Sequence, residues 1–285
     1  MSQRYLLMPK TKRKALNFEI LISTMKQNSL AFLSKMFSQN NFSKYNILII
    51  NQTDEETLLY SPMKNIRVVN SFEKGLSNSR NLALKNAMGS ICLLADDDVI
   101  YRKDFENIIL NAFEKTQEAD IITFQMEDET GKLFKDYPEI DWHNKKSLIT
   151  ANSVVIAFKR NIILNKNIVF NPNFGLGAKF PTADEYIFLR DALKTNLKIY
   201  FQRSVILSHK YWSSGRVMGS DEIIHARSAV LYKFSGALAY LKLIKYLYIV
   251  LLTKEITYNQ LWSKFLVGVR GIRDYKLLVK LGMEK

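Results

Sequence analysis

The run Ser90-Ile-Cys-Leu-Leu-Ala-Asp-Asp-Asp-Val-Ile-Tyr101 constrains this chain more than any other stretch. Ile91 to Leu94 are apolar, the pattern of a short strand buried on both faces. Asp96, Asp97 and Asp98 follow at once, and a buried strand cannot carry such charges in its middle. The strand must therefore leave its sheet at the aspartates. Extended backbone alternates its side chains, which predicts Asp96 and Asp98 on one side and Asp97 on the other. Two carboxylates at the C-terminal end of a strand make an oxygen half-site suited to Mg²⁺ or Mn²⁺. Open α/β sheets hold their ligands at that same end. The competing reading is an acidic turn in which Asp98 or Asp104 caps the next helix.

The segments before this run have the rhythm of a parallel sheet with crossover helices. Phe18 to Ser23 reads as a strand, and a helical pattern through Leu30, Leu33 and Met36 follows it. Tyr45 to Ile50 and Ile66 to Val69 are two further strands, and Asn51 opens the polar loop between them. Gly75-Leu-Ser-Asn-Ser-Arg-Asn81 starts a helix that Ser77 or Ser79 can cap, and Gly89 ends it. Arg80 in its first turns suits an anion.

Downstream, Asp104 to Thr116 reads as a helix and Asp120 to Phe124 as a strand. Glu127 to Tyr137 suggests a hairpin or an excursion, and Trp142 and His143 read as a surface loop. Gly175 and Gly177 allow close backbone approach to a ligand. Thr182 or Asp184 can cap a helix through Leu193, and Leu197–Phe201 and Val205–His209 read as two late strands.

At 285 residues the chain suits one large α/β domain with an appendage. The lone cysteine, Cys92, lies within the apolar strand and reads as a core residue. Tyr5 to Met8, followed by Lys10, Lys12, Arg13 and Lys14, is too short for a signal peptide and has its charges on the wrong side. A cytoplasmic protein is expected.

The formal net charge is +14, and residues 226–285 contribute 11 Lys/Arg against 3 Asp/Glu. Anionic lipid or phosphorylated substrates are the expected partners. Nucleic acid is not, because no zinc spacing, helix-turn-helix or RNA-binding signature is present. Ala237 to Leu252 is apolar except for Lys242 and Lys245, shorter than the ~20 residues a spanning helix needs, and suits a helix lying in a membrane interface. A helical appendage packed on the catalytic domain is the alternative.

Gly75-Leu-Ser-Asn-Ser-Arg-Asn81, Ala87-Met-Gly89, the strand into Asp96-Asp-Asp98, Ser153–Phe158, Phe174–Ala178 and Asp184–Leu189 together resemble inverting glycosyltransferases of family 2, which have the GT-A fold. The resemblance spans roughly residues 18–213. It implies a Rossmann-like, mixed but mainly parallel sheet flanked by helices over 1–215, with a nucleotide-sugar half near 18–100 and an acceptor half near 101–215. Residues 216–285 form a basic helical extension.

By resemblance, Ser23, Thr24, Asn51, Arg80, Asp96 and Asp97 bind the nucleotide sugar, with a UDP-sugar the expected donor. Asp98, Asp96 and His209 would hold Mn²⁺ or Mg²⁺. The catalytic base falls on Glu185, with Asp184 in reserve. Family members commonly carry Pro-Thr and a carboxylate where this chain has Ser23-Thr24 and Asn51. The implied acceptor is a glycan or lipid-linked oligosaccharide of bacterial surface polysaccharide assembly, met at the inner membrane face. Two rivals remain open: a haloacid-dehalogenase-like phosphohydrolase, which also has Asp-x-Asp after an apolar strand, and a non-catalytic membrane-binding protein on the same fold.

Overall fold

The structure, a computed structural model, describes residues 17–210 and 218–284. The apolar patch at Tyr5–Met8 and the expected boundary at 215/216 lie outside the described residues. Strands β1 (Phe18–Met25), β2 (Asn46–Gln52), β3 (Ile66–Ser71) and β4 (Ile91–Asp96) lie in the order β3-β2-β1-β4, all parallel. The side chains of β1, β2 and β4 are buried almost throughout, as continuous apolar runs require, while β3 at the edge is only partly covered. Helices α1 (Ala31–Met36) and α2 (Leu76–Asn86) supply crossovers between them.

The sheet continues through β7 (Ile156–Lys159), β6 (Ile121–Glu127), β8 (Ile199–Ser208) and the short β5 (Ile100–Tyr101). β7 runs antiparallel to both β4 and β6, and β8 runs parallel to β6. Two reversals restore the direction, so β8 ends at the same edge as β1, β2 and β4. The register sets Ser23 opposite Asp96 and Thr24 opposite Asn51. Pairing of Ile100 with Ser208 then brings Asp98 beside His209. Helices α3 (Phe105–Lys115), α4 (Arg160–Asn165) and α5 (Asp184–Lys194) complete this half.

Several local expectations are corrected. The late segments are one strand, β8, whose pairing with β6 is irregular between Thr123 and Met126. Ser77 and Ser79 do not cap α2, whose N-cap is Gly75 at φ +105; the Ser77 hydroxyl donates to the Phe174 carbonyl and that of Ser79 to Ser23 Oγ. Both serines are buried, so a tertiary acceptor satisfies each hydroxyl better than a local cap. Asp104 precedes α3 in the left-handed region without a side-chain cap, and Ala183 occupies the same place before α5. His143 is buried rather than on a surface loop, bonded to Thr123 Oγ1 at 2.7 Å and Ser147 Oγ at 3.0 Å, and burial pushes its pKa down to about 4. Glu127 to Tyr137 begins as a tight turn about Gly131, φ +82, with the Lys132 carbonyl accepting from Asp128 N.

Helices α6 (Asp221–Ser235), α7 (Ala239–Leu252) and α8 (Leu261–Lys280) form the C-terminal region. They share a core with the catalytic half: Ala226, Ala229, Tyr275 and Leu278 pack with Phe174, Phe180 and Ile187. The stretch Asp221–Leu252 is long and apolar enough to cross a membrane by length and composition alone. Gly236, at φ +54, divides it, and α7 alone has 14 residues. At 1.5 Å per residue that is about 21 Å, short of a ~30 Å hydrocarbon core.

α8 crosses α6 at Gly271, where a Cβ would lie 2.1 Å from the His225 carbonyl oxygen. Gly271→Ala should destabilise the fold by about 1–3 kcal/mol through overpacking against backbone. An unchanged urea-unfolding midpoint would mean that α6 and α8 do not meet there.

Candidate active site

At the shared sheet edge the three aspartates part company. β4 ends at Asp96, and Asp97 and Asp98 lie in a turn, so the strict alternation expected of a strand does not extend to them. Asp96 faces Arg80, Asp97 faces the end of β1, and Asp98 faces His209.

Arg80 joins the site together. It is 2% exposed, and its guanidinium donates to Asp184 Oδ2, to Asp96 Oδ1 at 3.1 Å and to Ser153 Oγ at 2.8 Å. Its charge also lies 5.5 Å from the centre of the Phe170 ring. The sequence reading placed Arg80 at a helix terminus open to an anion. It sits instead in a buried fork between two carboxylates, which the planar guanidinium suits.

Asp184 is thereby engaged, and Gly175 makes room for it: a Cβ at that glycine, φ +102, would come within 3.1 Å of the Asp184 side chain. Gly177, φ +78, lies against Gly75, and the Leu176 carbonyl accepts from Leu76 N at 2.9 Å. The close backbone approach permitted by these glycines is therefore to α2 and α5 rather than to a ligand.

Glu185 is the next residue along α5. It lines two cavities: one of about 160 Å³ with Arg80, Asp96, Ser153 and His209, and one of about 1020 Å³ that extends toward α6 and α7. Burial, with the neighbouring Asp184 charge, pushes the Glu185 carboxyl up to about 8. In the smaller cavity Arg80 Nε and Asn152 Oδ1 are buried without partners, polar atoms that a ligand would satisfy.

Asp98 Oδ1 stands 3.3 Å from His209 Nε2. The hydrogen bond that His209 donates to Asp98 holds the carboxyl below the usual carboxylate range and raises the imidazole above its own. Phe134, absent from the expected site, packs edge-on to His209 at 5.9 Å.

Among the described residues no three His, Cys, Asp or Glu side chains form a ready cage for a metal. Asp98 and His209 offer an oxygen and a nitrogen donor with room for outside ligands, which fits Mg²⁺ or Mn²⁺ completed by substrate phosphates. Asp96 is turned into the Arg80 fork, so direct ligation falls first on Asp98 and His209. The charges agree: Asp96, Asp98 and Asp184 outnumber Arg80 in this cluster, an acidic excess that a divalent cation would offset.

On the other side Thr24 donates to Asp97 Oδ2, and Gln27 Nε2 donates to the same oxygen at 3.0 Å. Ser23 and Thr24 are buried beneath this loop. Asn51, expected by resemblance to contact the base, has its amide engaged within the protein. Its Oδ1 accepts from Gln27 N at 3.0 Å, and its Nδ2 donates to Gln27 O at 3.0 Å and to Asn70 Oδ1 at 2.9 Å. With no exposed surface and its amide engaged, Asn51 shapes the loop that carries Gln27. Ser153 and Gln27 were missed because neither residue type carries a signal until the chain folds beside it.

The family model for glycosyl transferase family 2 matches residues 28–186, more than half of the chain, and the chain belongs to that family. Among solved structures, Staphylococcus aureus TarS residues 1–349 in complex with UDP-GlcNAc aligns at TM-score 0.56 and 13% identity, covering 94% of this chain and 92% of that one. The mannosyltransferase PcManGT from Pyrobaculum calidifontis, in complex with GDP-Man and Mn²⁺, aligns at TM-score 0.55 and 11% identity, covering 91% and 88%. No curated protein sequence matches the chain. The fold is therefore GT-A with C-terminal helices, and the protein is a glycosyltransferase. Membership of this family removes the phosphohydrolase rival, whose Asp-x-Asp normally follows the first strand, whereas Asp96 ends the fourth.

Replacing Arg80 by Met leaves Asp96 and Asp184 without their cation, at an expected cost of about 3–5 kcal/mol in urea unfolding. A wild-type midpoint would show that the two carboxylates do not depend on it. Glu185 carries a folded-state pKa above its ordinary 4.5, so the fold favours its protonated form. That contribution is complete below about pH 4.5 and is lost as pH rises toward 8. Glu185→Gln should therefore melt above wild type at pH 8, with the gap closing toward pH 5, when both are measured in chelator. A gap that widens toward acid would contradict the burial of this carboxyl.

Proposed function

We propose that this protein transfers a sugar, with inversion, from a nucleotide-diphosphate sugar to an acceptor hydroxyl, and that Glu185 is the base. The observation that carries this reading is the place of Glu185, shared by the two cavities while its neighbour Asp184 is bound to Arg80. The smaller cavity then takes the donor's sugar and diphosphate, and the larger takes the acceptor.

Glu185 accepts the acceptor hydroxyl proton as that oxygen attacks the anomeric carbon from the face opposite the leaving group. The new C–O bond forms as the bond to the diphosphate breaks, and its electron pair leaves on the diphosphate oxygen. Arg80 holds Asp96 and Asp184 in place and balances part of their charge. Asp98, with His209, would hold Mn²⁺ or Mg²⁺, which when bound neutralises charge on the leaving diphosphate. Thr24, Gln27 and Asp97 form the wall available to the nucleoside, with Ser23 beneath it. The UDP-GlcNAc and GDP-Man held by the two structural neighbours support a nucleotide-sugar donor, with a UDP-sugar the first choice. A glycan or lipid-linked acceptor of surface polysaccharide assembly, met at the cytoplasmic membrane face, agrees with the basic C-terminal region.

The test is a thermal-shift and transfer screen of nucleotide sugars with and without Mn²⁺. Donor binding should raise the melting temperature by mass action, and chelator should abolish the rise. Asp98→Ala should remove the metal-dependent part, and full activity of Asp98→Ala in chelator would end the metal assignment. Glu185→Gln should still bind donor while turnover falls about 10²–10⁴-fold. Near-normal turnover there with a dead Asp184→Asn would move the base to Asp184. In wild type kcat/KM should rise with pH toward about 8 as the Glu185 carboxyl ionises. Binding of no nucleotide sugar would instead favour a non-catalytic membrane-binding protein.

A further inference from the structure

The larger cavity leaves Glu185 away from Asp96 and follows α5 to the junction of α6 and α7. Tyr186, Phe234 and Tyr246 give its walls aromatic surface, and Arg190, Arg227 and Lys242 stand among them. No ion pair holds any of these three cations among the described residues, although ten other Lys, Arg or His side chains are so paired. Aromatic rings position the two arginines instead. The Arg190 guanidinium lies 4.1 Å from the centre of the Phe234 ring and donates to the Tyr186 hydroxyl at 2.6 Å, and that of Arg227 lies 5.4 Å from the centre of Tyr246. Lys242 donates to Ser235 Oγ at 2.5 Å. Such contacts orient a cation while leaving its charge for an anion. The other charged groups on these walls are Lys135, Asp136 and Glu185.

Lys242 belongs to α7, whose inner side buries Leu243, Leu247 and Val250. Its outer side presents Leu241, Ile244, Tyr248 and Leu252, each more than half exposed and spaced along one face. Lys242 and Lys245 flank that face. An apolar strip edged by lysines matches the boundary of an anionic bilayer, with side chains entering the interface and cations meeting headgroups. The cavity and the strip meet at Lys242.

We infer that the larger cavity receives the phosphate-bearing headgroup of a lipid-linked acceptor, held by Arg227, Arg190 and Lys242, while the outer face of α7 rests in the membrane interface. This rests on the reading of Glu185 as the base at the inner end of the same cavity. It narrows the acceptor to a class, a membrane lipid carrying phosphate or diphosphate, and it explains why unpaired cations line a cavity that ends on a carboxylate.

The full chain is tested by co-sedimentation with phosphatidylcholine vesicles doped with a polyisoprenyl diphosphate, against vesicles carrying phosphatidylglycerol at matched surface charge. Charge-assisted contacts to the headgroup should make binding to the diphosphate vesicles about tenfold or more tighter. Arg227→Gln with Lys242→Gln should bring that binding down to the phosphatidylglycerol level, with thermal melting and donor-induced shift showing an intact fold. Leu241→Ser with Tyr248→Ser should weaken binding to both vesicles alike. Equal wild-type binding to the two vesicles, or a preference that survives Arg227→Gln with Lys242→Gln, overturns the headgroup site. Release from the diphosphate vesicles by soluble glycerol phosphate at equal phosphate concentration assigns the site to a free phosphate ester and overturns the lipid reading. The vesicle measurement requires no turnover: a protein that binds no nucleotide sugar but keeps the preference refutes the transferase mechanism alone.

Discussion

One guanidinium connects the parts of this site that lie far apart in the chain. Arg80, from α2, reaches Asp96 at the end of β4, Asp184 at the start of α5 and Ser153 just before β7. Two of these partners are carboxylates, and Asp184 is buried with its carboxylate held by this one cation. A planar donor with several N–H groups can satisfy them together, and a lysine ammonium cannot do so in the same geometry. The fork also separates the paired acids of α5: Asp184 is taken by Arg80, and Glu185 is left on the cavity wall with its carboxyl raised by burial and by its neighbour.

The rest of the edge follows from strand direction. Parallel β1, β2 and β4 deliver their ends together, and the double reversal through β7 and β6 returns β8 to the same edge. Asp98 and His209 thus meet although 111 positions separate them in sequence (209 − 98). Strand pairing, not proximity in sequence, makes their hydrogen bond. The C-terminal helices bear on the same region from outside. They share a core with the loop that supports Asp184, so the basic extension belongs to the catalytic body and walls its larger cavity.

Sequence alone determined most of the sheet-forming segments, though not the short β5 and β7, together with the exit of the polypeptide at Asp96, the helical C-terminal region and the acid pair on α5. Local chemistry dictates each of these: apolar runs must be buried, adjacent charges must leave a buried strand, and periodicity marks a helix. The family was legible because short segments occurred in the right order. Tertiary structure decided which partner each polar group takes. Asn51 opens a polar loop in sequence and braces Gln27 in space; Arg80 reads as an anion site at a helix terminus and lies in a buried fork; Ser77 and Ser79 read as caps and bond across the fold. A buried hydrogen-bonding group takes the best-placed partner that folding brings to it, and that partner can lie a hundred residues away, so spacing along the chain does not contain the answer.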